Sequence, residues 1–474
     1  MNEKRGNYNL LEERWIPVLM TDGRFCRLGI KDALTQAGRI RQIAASNPMD
    51  RVAILRFLLA LLYWCRGNPP QEGSVTSVDS FPADWFSKLD DNKDCFNLLG
   101  DGKRFYQDCT AQRPQAVTQL IQEIPAGNNF WHFRHSTDKR SGLCPACCAM
   151  GLLRLPLFSV SGLSGPKEPN LMAGINGVPP VYVVPWEKSL FSTLLANWAT
   201  CTNIGEPSWI QPGIGQIQNN DVPLLAGLTL LSRRVLLHDP VKESVTCIGC
   251  GEKTAVILTC EFQTAGKQEN DKWNDPHVVY LDRKPRKTLR GADLTSAGKF
   301  RMDRPWPDLL ARIVETRKPV SLLIVGFATN KAKNVDVWER LVTVPQNHSN
   351  STSLYQWQDK SRGLEDWLRE IVRGRRKTRK DDARIAVSAI AAIRPHVEGR
   401  VSSKVGELLA GGDDAWERAA REYRPMMCAI ASSLSPGFTT AAVERRQQIA
   451  SVMPNMRQKQ IQLKKNSRKK GGDK

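Results

Sequence analysis

The spacing of apolar residues divides the chain into two parts. Up to residue 360, short apolar or alternating runs separated by turn residues predict strands interspersed with helices. From Ser361 onward, apolar residues recur at helical spacing, which predicts about four packed amphipathic helices. We therefore expect an α+β protein with a large mixed α/β N-terminal domain at 1–360, a C-terminal four-helix bundle at 361–457 and a basic disordered tail at 458–474.

The strongest local signals lie near the start of the chain. Asn47 and Pro48 are typical of a helix N-cap and a first helical residue, and the helix they begin is expected to reach about Cys65. Apolar residues occupy most of its sides, interrupted by Arg56, so this helix is expected to be buried. Before it, the pattern predicts strands Leu10–Val18 and Arg24–Gly29 around a turn at Asp22-Gly23, followed by a helix over Ile30–Ile43.

Later runs in the N-terminal part are shorter and predict a mixed sheet. The expected helices are Pro82–Leu89 and Leu190–Trp198, and the expected strands are Val178–Val184, Thr254–Phe262, Val278–Asp282 and Ser321–Val325.

Two C-x-x-C pairs are the clearest candidate chemistry. Cys144 and Cys147 form the first pair, and Cys247 and Cys250 form the second about a hundred residues later. Four thiolates in a tetrahedron suit a structural zinc ion, and the glycine after the second pair suits a tight turn beside sulfur. Two alternatives stay open: the thiols are simply buried and reduced, or Cys148 replaces a neighbouring ligand.

The charge of the chain points to a polyanionic partner. The formal net charge is +20, and the segments 369–384 and 457–474 each contain eight Lys or Arg residues. Such clusters favour nucleic acid through counterion release, whereas neither segment has the bulky apolar face that membrane-surface binding requires. The candidate contacts to the nucleic-acid backbone are Arg375, Arg376, Lys377 and Arg379.

Several classes of protein are not supported by the sequence. We find no phosphate-binding G-x-x-x-x-G-K-[ST] motif, and the His238-Asp239 dipeptide lacks the further ligands of an HD hydrolase. The start of the chain has no apolar signal region, and the run from Ala53 to Cys65 is too short to cross a bilayer. We expect a soluble, cytoplasmic binding subunit with no membrane association and no enzymatic activity.

An ordered set of segments resembles a known family. The chain looks like the large subunit of the type I-E CRISPR Cascade surveillance complex, the CasA family. The matching residues, in order, are Trp15-Ile16-Pro17-Val18, Cys144 with Cys147, Gly162-Leu163-Ser164-Gly165, Pro207-Ser208-Trp209-Ile210-Gln211-Pro212, Asp239-Pro240, Cys247 with Cys250, Trp273-Asn274-Asp275-Pro276-His277, Val325-Gly326 and Asn330-Lys331-Ala332. A helical C-terminal part follows, as in the family.

The resemblance implies a function and a set of DNA contacts. Such a subunit joins a ribonucleoprotein with a guide RNA, reads a short protospacer-adjacent motif in double-stranded DNA, starts R-loop formation and recruits a helicase-nuclease. The implied minor-groove contacts come from Gly162–Gly165, from Asn330–Ala332 and from Lys267, with Lys272 as the alternative lysine. The family has a glutamine wedge where this chain has Lys331, so the wedge role is open here.

Two other functions are compatible with the same residues. A zinc-ribbon nucleic-acid enzyme would show metal-dependent cleavage, and an RNA-binding assembly protein would bind duplex DNA without regard to the motif.

Overall fold

The computed structural model describes residues 7–70, 80–121, 123, 141–159, 181–210, 222–264, 275–279, 281–282, 299–300, 320–330 and 333–344. Its helices are α1 (Ile30–Thr35), α2 (Pro48–Arg66), α3 (Ser87–Asp91), α4 (Pro145–Arg154), α5 (Leu190–Asn197) and α6 (Leu224–Leu228). Short 3₁₀ turns cover Ala37–Arg39, Ala83–Phe86, Lys93–Phe96 and Val117–Leu120.

The strands are short except for the last two. They are β1 (Tyr8–Asn9), β2 (Ile16–Met20), β3 (Phe25–Leu28), β4 (Ile40–Ile43), β5 (Asn97–Leu99), β6 (Pro114–Ala116), β7 (Val181–Pro185), β8 (Arg233–Leu237), β9 (Ser244–Thr246), β10 (Lys253–Ala255), β11 (Thr259–Thr264), β12 (Val278–Val279), β13 (Leu281–Asp282), β14 (Lys299–Phe300), β15 (Val320–Asn330) and β16 (Lys333–Val344). The larger sheets have the strand orders β3-β2-β4, β6-β11-β8 and β12-β7-β15-β16. The mixture of helix and sheet agrees with the expected α+β class.

The first sheet corrects two of the sequence predictions. The strand begins at Ile16 rather than Leu10, because Leu10 and Leu11 are buried in a turn whose Leu10 carbonyl accepts a hydrogen bond from the Trp15 indole. The helix predicted over Ile30–Ile43 ends at Thr35, and residues 40–43 form β4 instead. Antiparallel pairing of β4 with β2 overrides the local helical spacing, because Ile40 and Ile43 are buried in that sheet.

The long helix α2 follows its prediction closely. The Asn47 side chain accepts a hydrogen bond from the Met49 amide at 2.8 Å, and Gly67, with a φ of +81°, ends the helix. Its residues are buried on most sides, as expected for an apolar helix at the centre of a core. Aromatic rings pack against it, with the Phe57 ring 5.6 Å from that of Trp209, centroid to centroid.

The remaining elements predicted within the described residues are present with shifted ends. The predicted helix Pro82–Leu89 is a 3₁₀ turn followed by α3, and the predicted strand Thr254–Phe262 divides into β10 and β11. The run predicted to end at Val325 continues through Gly326 as β15 and ends at Asn330. Backbone pairing of β15 with β7 reaches Gly326, so the absence of a side chain there does not interrupt the sheet.

All described residues except Val344 belong to one compact unit of the chain. The predicted boundary at residue 360, the four-helix bundle and the tail lie outside the described residues. No helix in the described part is both long enough and apolar enough to span a bilayer.

Candidate metal centre and neighbouring buried networks

The four predicted cysteines converge at the N-terminus of α4. Cys144 is the N-cap residue of that helix, and Cys147 lies in its first turn, while Cys247 and Cys250 occupy the turn between β9 and β10. The four sulfur atoms lie within 4.8 Å of one another. The Sγ atoms of Cys144 and Cys250 are 3.7 Å apart. A tetrahedron with metal–sulfur bonds of about 2.3 Å has edges of roughly 3.8 Å, so the cluster has the size of a zinc site.

The turn that carries the second pair is closed by its own backbone. The Gly251 amide donates to the Cys247 carbonyl at 2.8 Å, and the Cys247 amide donates to the Glu252 carbonyl at 2.8 Å. Gly251 has a φ of +79°, which confirms the expectation that a glycine is needed at this tight turn. Gly249 approaches so closely that a Cβ atom there would lie 3.0 Å from the Cys147 sulfur.

Backbone hydrogen bonds join the two halves of the cluster. Leu143 and Ile257 exchange amide–carbonyl bonds of 3.0 and 2.8 Å, and the Ile248 amide donates to the Gly142 carbonyl at 3.0 Å. The Cys144 amide also donates to the Cys247 sulfur at 3.2 Å. The cysteines are therefore held together by protein structure as well as by any ion they bind.

Hydrogen bonds among the clustered thiols shift their pKa values in opposite directions. Hydrogen bonds from Cys144 and Cys147 hold the pKa of Cys247 far below its usual range. Conversely, hydrogen bonds to Cys144 and Cys247, together with burial, raise the pKa of Cys147. Binding of a divalent ion would displace the protons that remain on these thiols.

The structure excludes Cys148 from this cluster. Its sulfur is fully buried and points to the Leu143 carbonyl at 3.8 Å, and burial raises the pKa of its thiol. Within the described residues, the four clustered cysteines form the only group of three or more suitable side chains that could hold a metal ion.

An arginine beside the cluster was not predicted from the sequence. Arg27 on β3 forms a 2.6 Å ion pair with Glu252 and hydrogen-bonds Cys250. It supplies positive charge next to the cysteine cluster. No sequence signal connects Arg27 with residues more than two hundred positions away.

The other end of α4 is fixed to the start of α2. The guanidinium of buried Arg154 binds both carboxylate oxygens of buried Asp50, at 2.7 and 2.5 Å, and also binds Glu123 at 2.5 and 2.6 Å. Glu123 accepts a further hydrogen bond from the side chain of Asn47, the N-cap of α2. The helix that carries Cys144 and Cys147 is thus anchored at both ends.

A second buried network contains two residues of the family-like segment 273–277. Arg56 binds both carboxylate oxygens of Asp275 at 2.7 Å and contacts Nδ1 of His277 at 2.9 Å. Because arginine only donates, this Nδ1 accepts, and Nε2 carries the proton that is donated to Asn197 Oδ1 at 3.1 Å. Burial lowers the pKa of His277 to about 3, and the nearby guanidinium acts in the same direction.

The sequence indicated one member of this network but not its partner. An arginine within the apolar run 53–65 indicates a buried charge that needs a partner, but nothing local identifies Asp275 as that partner.

The His238-Asp239 dipeptide lies at the surface, and its side chains are not arranged as metal ligands. The ring nitrogens of His238 contact the Thr259 hydroxyl at 2.7 Å and a Glu261 carboxylate oxygen at 3.1 Å. Asp239 lies 3.9 Å from Arg104. These contacts fix a cross-strand pair rather than a set of converging ligands.

The predicted DNA contacts are mostly outside the described residues. Asn330 is the last residue of β15. Lys331 and Ala332, which follow it in the sequence, lie outside the described residues. The other predicted contacts outside the described part are Gly162, Leu163, Ser164, Gly165, Lys267 with its alternative Lys272, Arg375, Arg376, Lys377 and Arg379. Of the predicted site residues, the structure therefore brings together the four cysteines.

Comparison with known proteins identifies relatives along most of the chain. The sequence model of the family described as CRISPR-associated protein Cse1 matches residues 9–451. A curated relative, "CRISPR-associated protein CasA/Cse1" of Thermus thermophilus, is 29% identical over 213 residues, which cover 43% of this chain and 42% of the relative. The match thus spans less than half the length of that relative.

Solved structures of similar proteins share the fold. The Cse1 structure from Acidimicrobium ferrooxidans has a TM-score of 0.65 at 18% identity and covers 96% of this chain and 98% of its own. A CRISPR-associated protein from Thermus thermophilus has a TM-score of 0.68 at 18% identity, covering 95% and 100%. A chain of a structure described as "CRISPR RNA-guided surveillance complex" has a TM-score of 0.56 at 16% identity, covering 94% and 99%. Because the family match extends from residue 9 to residue 451, this chain belongs to the CRISPR-associated Cse1 family.

Proposed function

We propose that this chain is the large subunit of a type I-E CRISPR Cascade ribonucleoprotein in antiviral defence. The observation that carries the proposal is the family match over residues 9–451. In this role the chain recognises the protospacer-adjacent motif on double-stranded DNA, starts strand separation and R-loop formation, and recruits the helicase-nuclease. Its partners are the other Cascade subunits, the guide RNA and the target DNA, and its own contribution is binding rather than catalysis.

The proposed reading of the motif uses the minor groove. Gly162 and Gly165 lack a Cβ atom, so their backbone can approach base edges closely, and Asn330 has both a donor and an acceptor for those edges. In support, Asn330 is the last residue of β15, and the neighbouring strand β16 begins at Lys333. The minor groove offers a degenerate code, which suits tolerance for several related motifs.

Lysines extend the proposed interface. Lys267, or Lys272 in its place, supplies a cationic donor to the groove. Lys331 occupies the point of strand opening, where a flexible cation contacts phosphate or inserts its aliphatic stem between the strands. It cannot reproduce the hydrogen bonds of the glutamine that the family has at this position.

We assign a structural zinc ion to Cys144, Cys147, Cys247 and Cys250. The support is the size of the thiol cluster, the preformed turn at Gly251 and the depressed pKa of Cys247. The ion would hold the N-terminus of α4 against the β9–β10 turn.

The basic residues of the C-terminal part complete the proposal. Arg375, Arg376, Lys377 and Arg379 are assigned to sequence-independent contact with the nucleic-acid backbone, in a region expected to be helical.

The proposal is tested by duplex binding in the complex reassembled around this chain. Target duplexes that differ only in the flanking motif are compared, and the motif-bearing duplex should bind and open more readily. Equal binding of both duplexes would favour an RNA-binding assembly protein. Cleavage of labelled DNA by the purified chain with Mg²⁺ or Mn²⁺ would favour a zinc-ribbon enzyme.

A further inference from the structure

The tip of the β2–β3 hairpin exposes an aromatic side chain that no described interaction uses. Phe25 is 60% exposed, the largest exposed fraction among the exposed large apolar side chains in the described part of the chain. A large ring that stays in water forgoes the transfer free energy that its burial would contribute. A single exposed apolar side chain is common on protein surfaces, so the groups around this ring decide whether it has a ligand.

The hairpin holds Phe25 in a defined position. The Gly23 amide donates to the Met20 carbonyl at 3.0 Å, and the Met20 amide donates to the Arg24 carbonyl at 2.8 Å. Gly23 has a φ of +86°, and Asp22 accepts from the Arg24 amide at 2.9 Å. Together these contacts close a three-residue turn that fixes the register of β3. The ring is therefore presented on a fixed backbone rather than on a loose loop.

Four arginines lie on the strands and turns near this ring, and two of them are ion-paired. Residues 16–28 and 37–43 contain Arg24, Arg27, Arg39 and Arg41, and Asp22 is the one acidic residue among them. Arg24 pairs with Asp22 at 3.5 Å and Arg27 pairs with Glu252 at 2.6 Å, while Arg39 and Arg41 are exposed. Arg39 adjoins the turn, because its carbonyl accepts from the Thr21 amide at 2.8 Å.

The sheet register places polar and aromatic groups on one surface. Phe25 pairs with Leu19 of β2, and Leu19 pairs with Gln42 of β4, next to Arg41. Two interstrand spacings separate Phe25 from Gln42, a distance of about 10 Å. A ring with an amide at this distance, and an exposed arginine next to that amide in the sequence, has the features of a surface that stacks one base and contacts the adjoining backbone.

We infer that Phe25, with Arg39, Arg41 and Gln42, binds an unpaired segment of RNA, with the Phe25 ring stacked on a base and the arginines on phosphates. The choice of RNA rests on the proposed function. A guide RNA would stay in the assembly throughout, so it covers an exposed ring permanently, whereas target DNA is present only during recognition. Gln42 also offers a donor and an acceptor to a 2′-hydroxyl group.

The test is photo-crosslinking of the full chain to a short oligouridine that contains 4-thiouridine, with mapping of the modified peptide. Crosslinks are expected within residues 21–28. Phe25→Ala should reduce their yield about tenfold, whereas Phe25→Trp should retain it because tryptophan also stacks. Leu341→Ala is the matched control, since Leu341 is 59% exposed on β16 and should leave the yield unchanged.

Three results would overturn the inference. One is the absence of crosslinks in residues 21–28 with the unmodified chain. Another is stronger competition by oligothymidine than by oligouridine, which would make DNA the occupant. The third is a Phe25→Ala chain that keeps its RNA crosslink but no longer joins the reassembled complex, which would make the occupant a protein.

Different results would refute the RNA surface at Phe25 and the proposed function. If the unmodified chain shows no motif-dependent opening of DNA but crosslinks RNA at Phe25, the function is wrong and the RNA surface stands. If opening depends on the motif but no crosslink forms, only the RNA surface is lost.

Discussion

The sulfur atoms of Cys144 and Cys250 lie 3.7 Å apart although 106 positions separate the two residues in the sequence. Between the two C-x-x-C pairs, the chain passes through β7, α5, α6, β8 and β9 before it returns to α4. Closing so long a loop costs conformational entropy, so a bound ion at this point would stabilise contacts between distant parts of the chain.

Metal analysis should find about one zinc ion per purified chain. Cys144→Ser and Cys247→Ser should each lose the metal and lower the melting temperature, because a structural ion contributes directly to folding. Cys148→Ala provides a matched control, since Cys148 is buried beside Cys147 but lies outside the cluster, and it should keep the metal. Full metal content in both serine variants would contradict the assignment.

Replacing only one partner of the buried Arg56–Asp275 pair should strongly destabilise the folded chain. Asp275→Asn leaves a buried guanidinium without its counter-charge, so we expect a loss of about 3–5 kcal/mol in the free energy of unfolding. Arg56→Met combined with Asp275→Asn should cost less than Asp275→Asn alone, because no unpaired charge remains. As a control, Asp22→Asn in the exposed Asp22–Arg24 pair should change stability by at most about 1 kcal/mol in chemical denaturation.

Because the pKa of buried His277 is lowered, we expect the folded chain to be less stable in mild acid. Its pKa is about 3 in the folded chain, below the value near 6.5 expected for unfolded histidine. Between these values the unfolded state binds a proton that the folded state excludes, so stability falls as the pH is lowered through this window. The slope from this residue approaches about 1.4 kcal/mol per pH unit. In denaturation series at several pH values, His277→Gln should remove this component, and an unchanged slope would argue against a neutral buried ring.

Neutralising basic residues of segment 369–384 should weaken binding to DNA in a salt-dependent way. Replacing Arg375, Arg376, Lys377 and Arg379 by glutamine should reduce the slope of log affinity against log salt by up to about 4, with little effect on sequence preference. A control replaces an equal number of cations in the tail, Lys464, Lys465, Arg468 and Lys469. If both sets change the slope equally, the effect comes from overall charge rather than from the 369–384 segment.

The sequence predicted the elements whose signals are local. Helix α2 has its N-cap at Asn47, its proline at the first position and its glycine after the last turn, so its limits could be inferred without any partner. The C-x-x-C spacing likewise predicted the cysteine cluster, and the glycine after it predicted the tight turn.

Most of the failures involve contacts between distant residues. Strand β4 was predicted as helix because its pairing with β2 cannot be recognised from its own spacing. The partners of Arg56 and Arg27 are 219 and 225 positions away, so charge and burial alone could not identify them. The exclusion of Cys148 also needed the three-dimensional arrangement, since it is adjacent in sequence to a ligand.

The most direct measurement of the central claim is permanganate detection of unpaired thymines in target duplexes bound by the reassembled complex. With the unmodified chain, opening should occur on the motif-bearing duplex and not on its counterpart. Asn330→Ala should reduce this discrimination by about 1–3 kcal/mol, Gly162→Leu and Gly165→Leu should block opening, and Lys331→Ala should impair opening more than initial binding. Normal discrimination by Asn330→Ala together with normal opening by the glycine variants would contradict this account of how the motif is read.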